Sequence, residues 1–467
     1  MRAARRLPGV DSIALKELGN LARIAFVCPD FYSHLRAFEA LGEELASMGH
    51  EPVFLVPEGA GEMRSTHFRT IFVGRKAGGV FGRRLAGRAA ASGTGLTGIL
   101  RTVADRARAT DAFCAAAPAV MRRERIDLVV GDEFEPAAGL VAAFLGLPHV
   151  SLAAALPIER DPAMPLPFLG WAYDPSERGL ARNRGGELVG GFLMGSQRRV
   201  ISRWAQRFGL GEIADDTACL SRSLRLAQAP ASFDFPRPPT AGLTPVGPIR
   251  SQHREAHPGL DAFAVDPARP FVFASLGTMQ GHRRWLFERI ASVCRAAGAQ
   301  LLVAHCGGLS PSDAARIGAD WVTDFVDQGS ILSRADLCVT HGGLNTVLDC
   351  IDTGTPMLAL PVGYDQPGNG ARIRHHRIGE TIPARRATRR RIEEALTRLL
   401  DERAGYVERA APMRAEIRRA GGAARAAQLV HDLLIRSRIE AHAGRFDAAR
   451  QPANDTEIRD LGLSVRL

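Results

Sequence analysis

Residues 325–366, FVDQGSILSRADLCVTHGGLNTVLDCIDTGTPMLALPVGYDQ, restrict the fold more than any other part of the chain. An apolar run, Leu337 to Thr340, ends in His341-Gly342-Gly343. An amphipathic segment carrying Asn345, Thr346 and Asp349 follows. A second apolar run, Pro356 to Val362, ends in Asp365-Gln366. Short buried runs alternating with helix periodicity read as strand, Gly-rich turn, helix, strand, which is the repeating unit of a parallel, doubly wound sheet.

The residue types at the ends of these runs carry chemistry. A strand that feeds a helix through Gly-Gly lets backbone N–H groups approach an anion at the helix N-terminus. His341 can add a ring N–H there, and Gly343, Asn345 and Thr346 open the helix. Asp349 stands within reach of a vicinal diol such as ribose. Asp365 and Gln366 offer an acceptor-only group and a mixed amide, the partners that sugar hydroxyls require. Phe325 offers a flat face for a base. Each feature alone has an ordinary structural explanation; together in one strand-helix-strand unit they point to a nucleotide-sugar pocket.

The stretch resembles the donor signature of the family 1, UDP-sugar-dependent glycosyltransferases of the GT-B fold. In that family an aromatic stacks on uracil three residues before a Gln, as Phe325 precedes Gln328. The family's His contacts the diphosphate, matching His341. Its acidic residue eight positions on holds the ribose, matching Asp349, and its Asp-Gln pair holds the sugar, matching Asp365 and Gln366. Phe325 and Asp349 stand where plant members usually have Trp and Glu, which keeps the chemistry with a shorter reach.

With 467 residues the chain has room for two to three cores. Apolar residues make up 46% and charged residues 24%, as in ordinary globular proteins. The formal charge is +10, but all basic residues except Lys16 and Lys76 are Arg. No basic motif with interleaved aromatics appears, which argues against nucleic acid; the charge does admit peripheral contact with anionic lipid on the inner face of the membrane. Seven scattered Cys without a C-x-x-C pair favour a reducing cytoplasm over a disulfide framework, and no metal-ligand cluster is seen. The apolar stretch 136–158 is long enough to span a bilayer, but Gly146, Pro148 and Pro157 divide it into a buried helix (137–145) and strand (149–153). Nothing in the sequence sets an oligomeric state.

Taken in order, residues 1–20 form an extension. Residues 21–238 read as one doubly wound domain, with strands at 23–28, 52–56, 70–73, 126–132 and 149–153 and helices at 35–48 and 100–124. A Gly- and Arg-rich loop covers 74–98. Residues 159–195, rich in Pro and Gly, read as an irregular apolar loop in which Phe168, Trp171, Phe192 and Met194 are candidates to line an acceptor channel. Residues 239–268 read as a linker. Residues 269–438 form the second doubly wound domain, with strands at 270–276, 299–305, 321–326, 336–340, 356–361 and 379–383 and helices near 387–401 and 404–436. The last helix is expected to cross back to the first domain, and 439–467 to be a disordered tail. Ser275 and Thr278, just past the second domain's first strand, can face a diphosphate across the cleft.

His34 lies just past the first strand and Asp132 at the end of a later one, where doubly wound sheets place ligand-contacting groups. A carboxylate on one ring nitrogen fixes the tautomer and leaves the other nitrogen to accept a hydroxyl proton; Glu133 and Glu135 are alternative partners. Family members carry a catalytic His in the first loop and an Asp after a later strand. DFYSH (30–34), residues 131–167, WAQRFGL (204–210), FDFPR (233–237), FASLGTMQGHR (273–283) and LLVAHCGGLS (301–310) narrow the resemblance to bacterial zeaxanthin glucosyltransferases. The likeness covers nearly the whole chain except 1–20 and the tail after about 438. It implies UDP-glucose as donor, a hydroxylated carotenoid as acceptor, inversion at the anomeric carbon and no bound cofactor or metal. Another apolar acceptor (sterol, polyketide, lipid), a GT-B sugar-nucleotide epimerase and a nonenzymatic sugar-nucleotide binder are the competing readings.

Overall fold

The computed structural model describes residues 21–29, 31–57, 67–74, 95–236, 242–251 and 257–442, with the backbone of the last helix traced to 450. The N-terminal extension, most of the Gly- and Arg-rich loop, parts of the linker and the tail beyond 450 lie outside the described residues.

Two parallel sheets organise the chain. The first holds β1 (Arg23–Val27), β2 (Glu51–Pro57), β3 (Arg69–Val73), β4 (Leu128–Asp132), β5 (His149–Ala153), β6 (Leu224–Ala227) and β7 (Leu243–Pro245). Their spatial order is β3-β2-β1-β4-β5-β6-β7. The second holds β8 (Phe271–Ser275), β9 (Gln300–Ala304), β10 (Trp321–Thr323), β11 (Leu337–Thr340), β12 (Met357–Ala359) and β13 (Gly379–Thr381), ordered β10-β9-β8-β11-β12-β13. The central strands are apolar on both faces because helices cover both sides, as parallel sheets require. The architecture is two Rossmann-like domains facing across a cleft, the GT-B fold.

Each sheet winds outward in both directions from its first strand: β1 pairs with β2 and β4, and β8 with β9 and β11. The two loops leaving such a strand pair part to opposite faces, so a crevice opens at the strands' carboxyl ends. His34 and Asp132 flank the first crevice; Ser275 and His341 flank the second.

Local sequence explains the helices that shape these crevices. In α1 (Tyr32–Ser47), Leu35, Phe38, Leu41 and Leu45 recur at helical spacing and pack on Phe26 and Phe54. Long α2 (Leu96–Arg123) precedes β4. In α3 (Pro136–Leu145), Pro136 sits in the first turn and Gly146 ends the helix in the left-handed region, so the apolar stretch 136–158 folds as the helix and strand read from it. Among the described residues no helix is long and apolar enough to cross a membrane.

Four segments differ from the sequence reading, the first being β6, which was not read as a strand. The Pro- and Gly-rich stretch taken as an irregular loop contains α4 (Glu177–Leu193), with α5 (Gly195–Arg207) following; Gly179, Gly186 and Gly190 lie against neighbouring chain rather than in turns. The linker contributes β7 to the first sheet. The helix expected at 404–436 is two, broken at Gly421 and Gly422, both at positive φ, and the second of them runs on to Arg450, through the start of the expected tail. The longer helices that follow among the described residues are α6 (Arg284–Ala296), α7 (Gln328–Arg334), α8 (Leu344–Thr353), α9 (Gln366–His376), α10 (Arg389–Asp401), α11 (Arg403–Ala420) and α12 (Gly422–Arg450). Ala423, Ala426, Ala427, Val430 and Leu434 of α12 join the core around Phe38 and Leu41, so the last helix does cross back to the first domain.

Candidate active site

A cavity of about 1710 Å³ runs between the domains and is lined from both. On the N-terminal side His34 occupies the first turn of α1, buried between the rings of Phe31 and Phe134. Its Nδ1 lies 2.7 Å from Asp132 Oδ2, and the other carboxylate oxygen accepts a 2.8 Å hydrogen bond from the Phe134 amide. With Asp132 held from behind, Nδ1 is committed and Nε2 is left for the cavity. Burial works against a charged imidazole. The Asp132 charge and hydrogen bond, with Asp365 across the cleft, outweigh it and raise the His34 pKa above its ordinary 6.5. Glu133 and Glu135 do not reach the ring. Glu133 is bound by Arg225 (3.0 Å) and the Ile158 amide, and Glu135 by Arg106 (2.7 Å).

On the C-terminal side the order of pairing brings Ser275 beside Thr340, and His341 follows. The His341 ring lies between two glycines. A Cβ on Gly343 would fall 2.4 Å from Nε2, and one on Gly277 (φ +68°) 2.7 Å from Cε1. Burial lowers the His341 pKa to about 4, against an opposing hydrogen bond to the Ser275 backbone. The ring is therefore neutral at pH 7 in the free protein and carries a single N–H. A diphosphate bound beside it would favour a second proton on the ring. Gly343 is the N-cap of α8 and supplies no side-chain cap, so the first-turn N–H groups remain for a ligand. Thr346, Ser275 and Thr278 line the same space.

The other expected donor residues are present at the cavity wall, but several are engaged within the protein. Asn345 ties the domains together: Nδ2 donates to the Ser33 carbonyl (3.3 Å), and Oδ1 accepts from Gln228 and Arg250. Asp349 accepts from Gln328 (2.7 Å) and from Arg250 (3.0 Å). Phe325 offers a flat face, on which the His257 ring stacks at 5.3 Å and 17°. Gln366 Oε1 accepts from the Val362 and Gly363 amides, which leaves its NH₂ group for a ligand. Asp365, held by Asn369 (3.0 Å), has its pKa raised by burial, with His34 and Asn369 opposing. Among the four candidates for the acceptor channel, Phe168, Trp171 and Met194 line the cavity; Phe192 is 81% exposed on the outer surface.

Arg250, His257 and Gln228 were not read from the sequence. Gln228 is a fully buried amide one residue past β6, and a polar residue closing an apolar run was a usable signal. Arg250 and His257 sit in aperiodic linker, and only their tertiary partners mark them.

Fold and cleft together define a glycosyltransferase of the two-domain sugar-nucleotide class. A profile described as UDP-glucoronosyl and UDP-glucosyl transferase matches residues 209–413. A zeaxanthin glucosyltransferase of Pseudescherichia vulneris is 36% identical over 421 residues, spanning 89% of this chain and 99% of that protein. One of Pantoea ananas is 35% identical over 424 residues, spanning 89% and 96%. Among solved structures, the glycotransferase of kitacinnamycin superposes with a TM-score of 0.67 at 21% identity, over 89% of this chain and all of that one. The chain belongs to the UDP-glucuronosyl and UDP-glucosyl transferase family, the family 1 glycosyltransferases, and is a hexosyltransferase using a UDP-sugar donor.

Proposed function

We propose that the chain transfers glucose from UDP-glucose, with inversion, to the hydroxyl groups of a carotenoid, converting zeaxanthin to its mono- and diglucoside. The observation that carries this reading is the His34–Asp132 pair, with Nε2 facing the cleft and Asp365 close enough to act on the His34 charge. A base on one domain and a sugar-binding carboxylate on the other then meet at the reacting carbon. The apolar lining beyond Phe134, with Ile99, Val103, Leu166 and Leu193, suits a long hydrocarbon acceptor. The likeness to two zeaxanthin glucosyltransferases extends through this acceptor half.

In the proposed reaction the acceptor hydroxyl gives its proton to His34 Nε2 as its oxygen bonds the anomeric carbon. Asp132 steadies the imidazolium that forms. The bond from the anomeric carbon to the diphosphate oxygen breaks, and UDP leaves with the electron pair. The N–H groups of the first turn of α8, with a His341 ring protonated from solvent when the donor's diphosphate binds, stabilise that charge. Asp365 and the Gln366 amide hold the hexose, and Asp349 the ribose. The domain limits above, with α12 as the returning element, form part of this proposal.

The test is incubation of purified protein with UDP-glucose and detergent-dispersed zeaxanthin. The reading requires two successive, more polar pigments whose masses rise by one and then two hexoses, with UDP released in proportion. UDP release without pigment change would favour another acceptor, and UDP-glucose epimerisation would displace the reading altogether.

A further inference from the structure

Helix α4 buries small residues and exposes large apolar ones, the reverse of an ordinary protein surface in water. Its buried positions are Gly179, Asn183, Gly186 and Gly190, while Leu188, Val189 and Phe192 are 77%, 61% and 81% exposed. The small residues have a packing reason. A Cβ on Gly186 would fall 2.8 Å from the Trp171 ring, and one on Gly190 would fall 2.9 Å from Leu166. The inner face of α4 thus presses on the 166–171 segment that lines the acceptor side of the cavity. Among the described residues no such packing accounts for the outer face. Large apolar side chains on consecutive turns of an exposed helix mark a surface meant for an apolar phase.

The patch continues beyond α4. Phe168, at its edge, is 43% exposed and also lines the cavity; Leu96, Ile99 and Leu100 of α2, a neighbouring helix, are 62%, 38% and 40% exposed. Arg178 and Arg184 on α4, Arg101 on α2 and Arg198 and Arg199 on the following α5 are exposed, against Glu177 and Glu187 on α4. A second copy of the chain meeting this face by two-fold symmetry would set arginines against arginines. An anionic lipid surface complements them, and its acyl layer accepts the apolar residues.

We propose that the outer face of α4, with the start of α2, is a docking surface for anionic membrane, and that it seats the mouth of the acceptor cavity at the bilayer. Docking itself follows from this surface alone; only delivery of a lipid-dissolved acceptor rests on the apolar-acceptor reading. The protein lies on the interface through side chains and does not span it.

The test is co-sedimentation of the full chain with vesicles of phosphatidylglycerol and phosphatidylcholine, or of phosphatidylcholine alone, without any acceptor. Wild type should bind the anionic vesicles and lose most of that binding at high salt. The double variant L188E/F192E should bind at least about tenfold less tightly, and R178E/R184E about as much less, with unchanged thermal melting. In turnover, L188E/F192E should match wild type on detergent-dispersed acceptor and fall behind it on vesicle-embedded acceptor. Wild type that stays in the supernatant, variants that sediment like wild type, or a wild-type dimer split by L188E/F192E without vesicle binding would overturn the proposal. Vesicle binding without turnover of any carotenoid would uphold docking and reject the acceptor reading.

Discussion

Two histidines occupy corresponding crevices in the two sheets and have opposite surroundings. His34 has a carboxylate 2.7 Å from Nδ1, and its pKa is raised. His341 has two glycines against its ring and no carboxylate among its pKa determinants; burial lowers its pKa to about 4. One crevice thus holds a histidine paired with a carboxylate, just past its sheet's first strand, and the other a neutral buried ring, just past its sheet's fourth. A crevice places a residue, and its immediate partners decide the proton.

The comparison breaks most visibly if His34 is removed. His34→Ala should lower kcat by about 10²–10⁴-fold, the range for a general base, while UDP affinity by calorimetry stays within about twofold. Loss of UDP binding in that variant would mean that the two crevices are not chemically separate. Next comes Gly343→Val. Its backbone conformation (φ −64°, ψ 138°) suits Val, so the effect must pass through the displaced His341 ring. Overpacking of this kind costs about 1–3 kcal/mol of stability, and KM for the UDP-sugar should rise severalfold as the ring is displaced, with the acid limb of the pH profile unmoved.

Asp132→Asn sharpens the first half of the comparison. In wild type the base must be neutral, so kcat/KM should fall as pH drops through the raised His34 pKa, above 6.5. The variant should move that limb to lower pH as well as lowering the plateau. For stability, a raised pKa means that the His34–Asp132 pair contributes fully below the unfolded value of 6.5, and that this contribution is lost as pH rises through the folded value. His341 has the reverse sign: its neutral burial costs stability as pH falls from 6.5 toward 4. The smallest effect is expected from Arg250→Ala. The Arg250–Asp349 pair is a quarter to a third exposed, so losing its hold on Asp349 should raise donor KM by only about 3- to 10-fold and leave kcat near wild type.

What could be read from the chain was local. Each of His34, Asp132, His341 and Asp365 stands at or a few residues past the end of an apolar run that reads as a strand, and that placement shows it. Arg250 on Asp349, His257 on Phe325 and Asn345 on Ser33 join segments tens to hundreds of residues apart, and no periodicity announces such contacts. Helix α4 was obscured for another reason. Its glycines read as breakers, whereas Gly186 and Gly190 are there because Trp171 and Leu166 lie too close for a Cβ.

The contrast between the two histidines can be measured directly by ¹⁵N-histidine NMR titration of the full chain, with His34→Ala and His341→Ala samples to assign the signals. His34 should titrate above 6.5 and be little changed by UDP. His341 should stay neutral down to about pH 4 in the free protein and take up a proton when UDP binds. A His341 that titrates near 6.5 without ligand, or that ignores saturating UDP, would contradict the account.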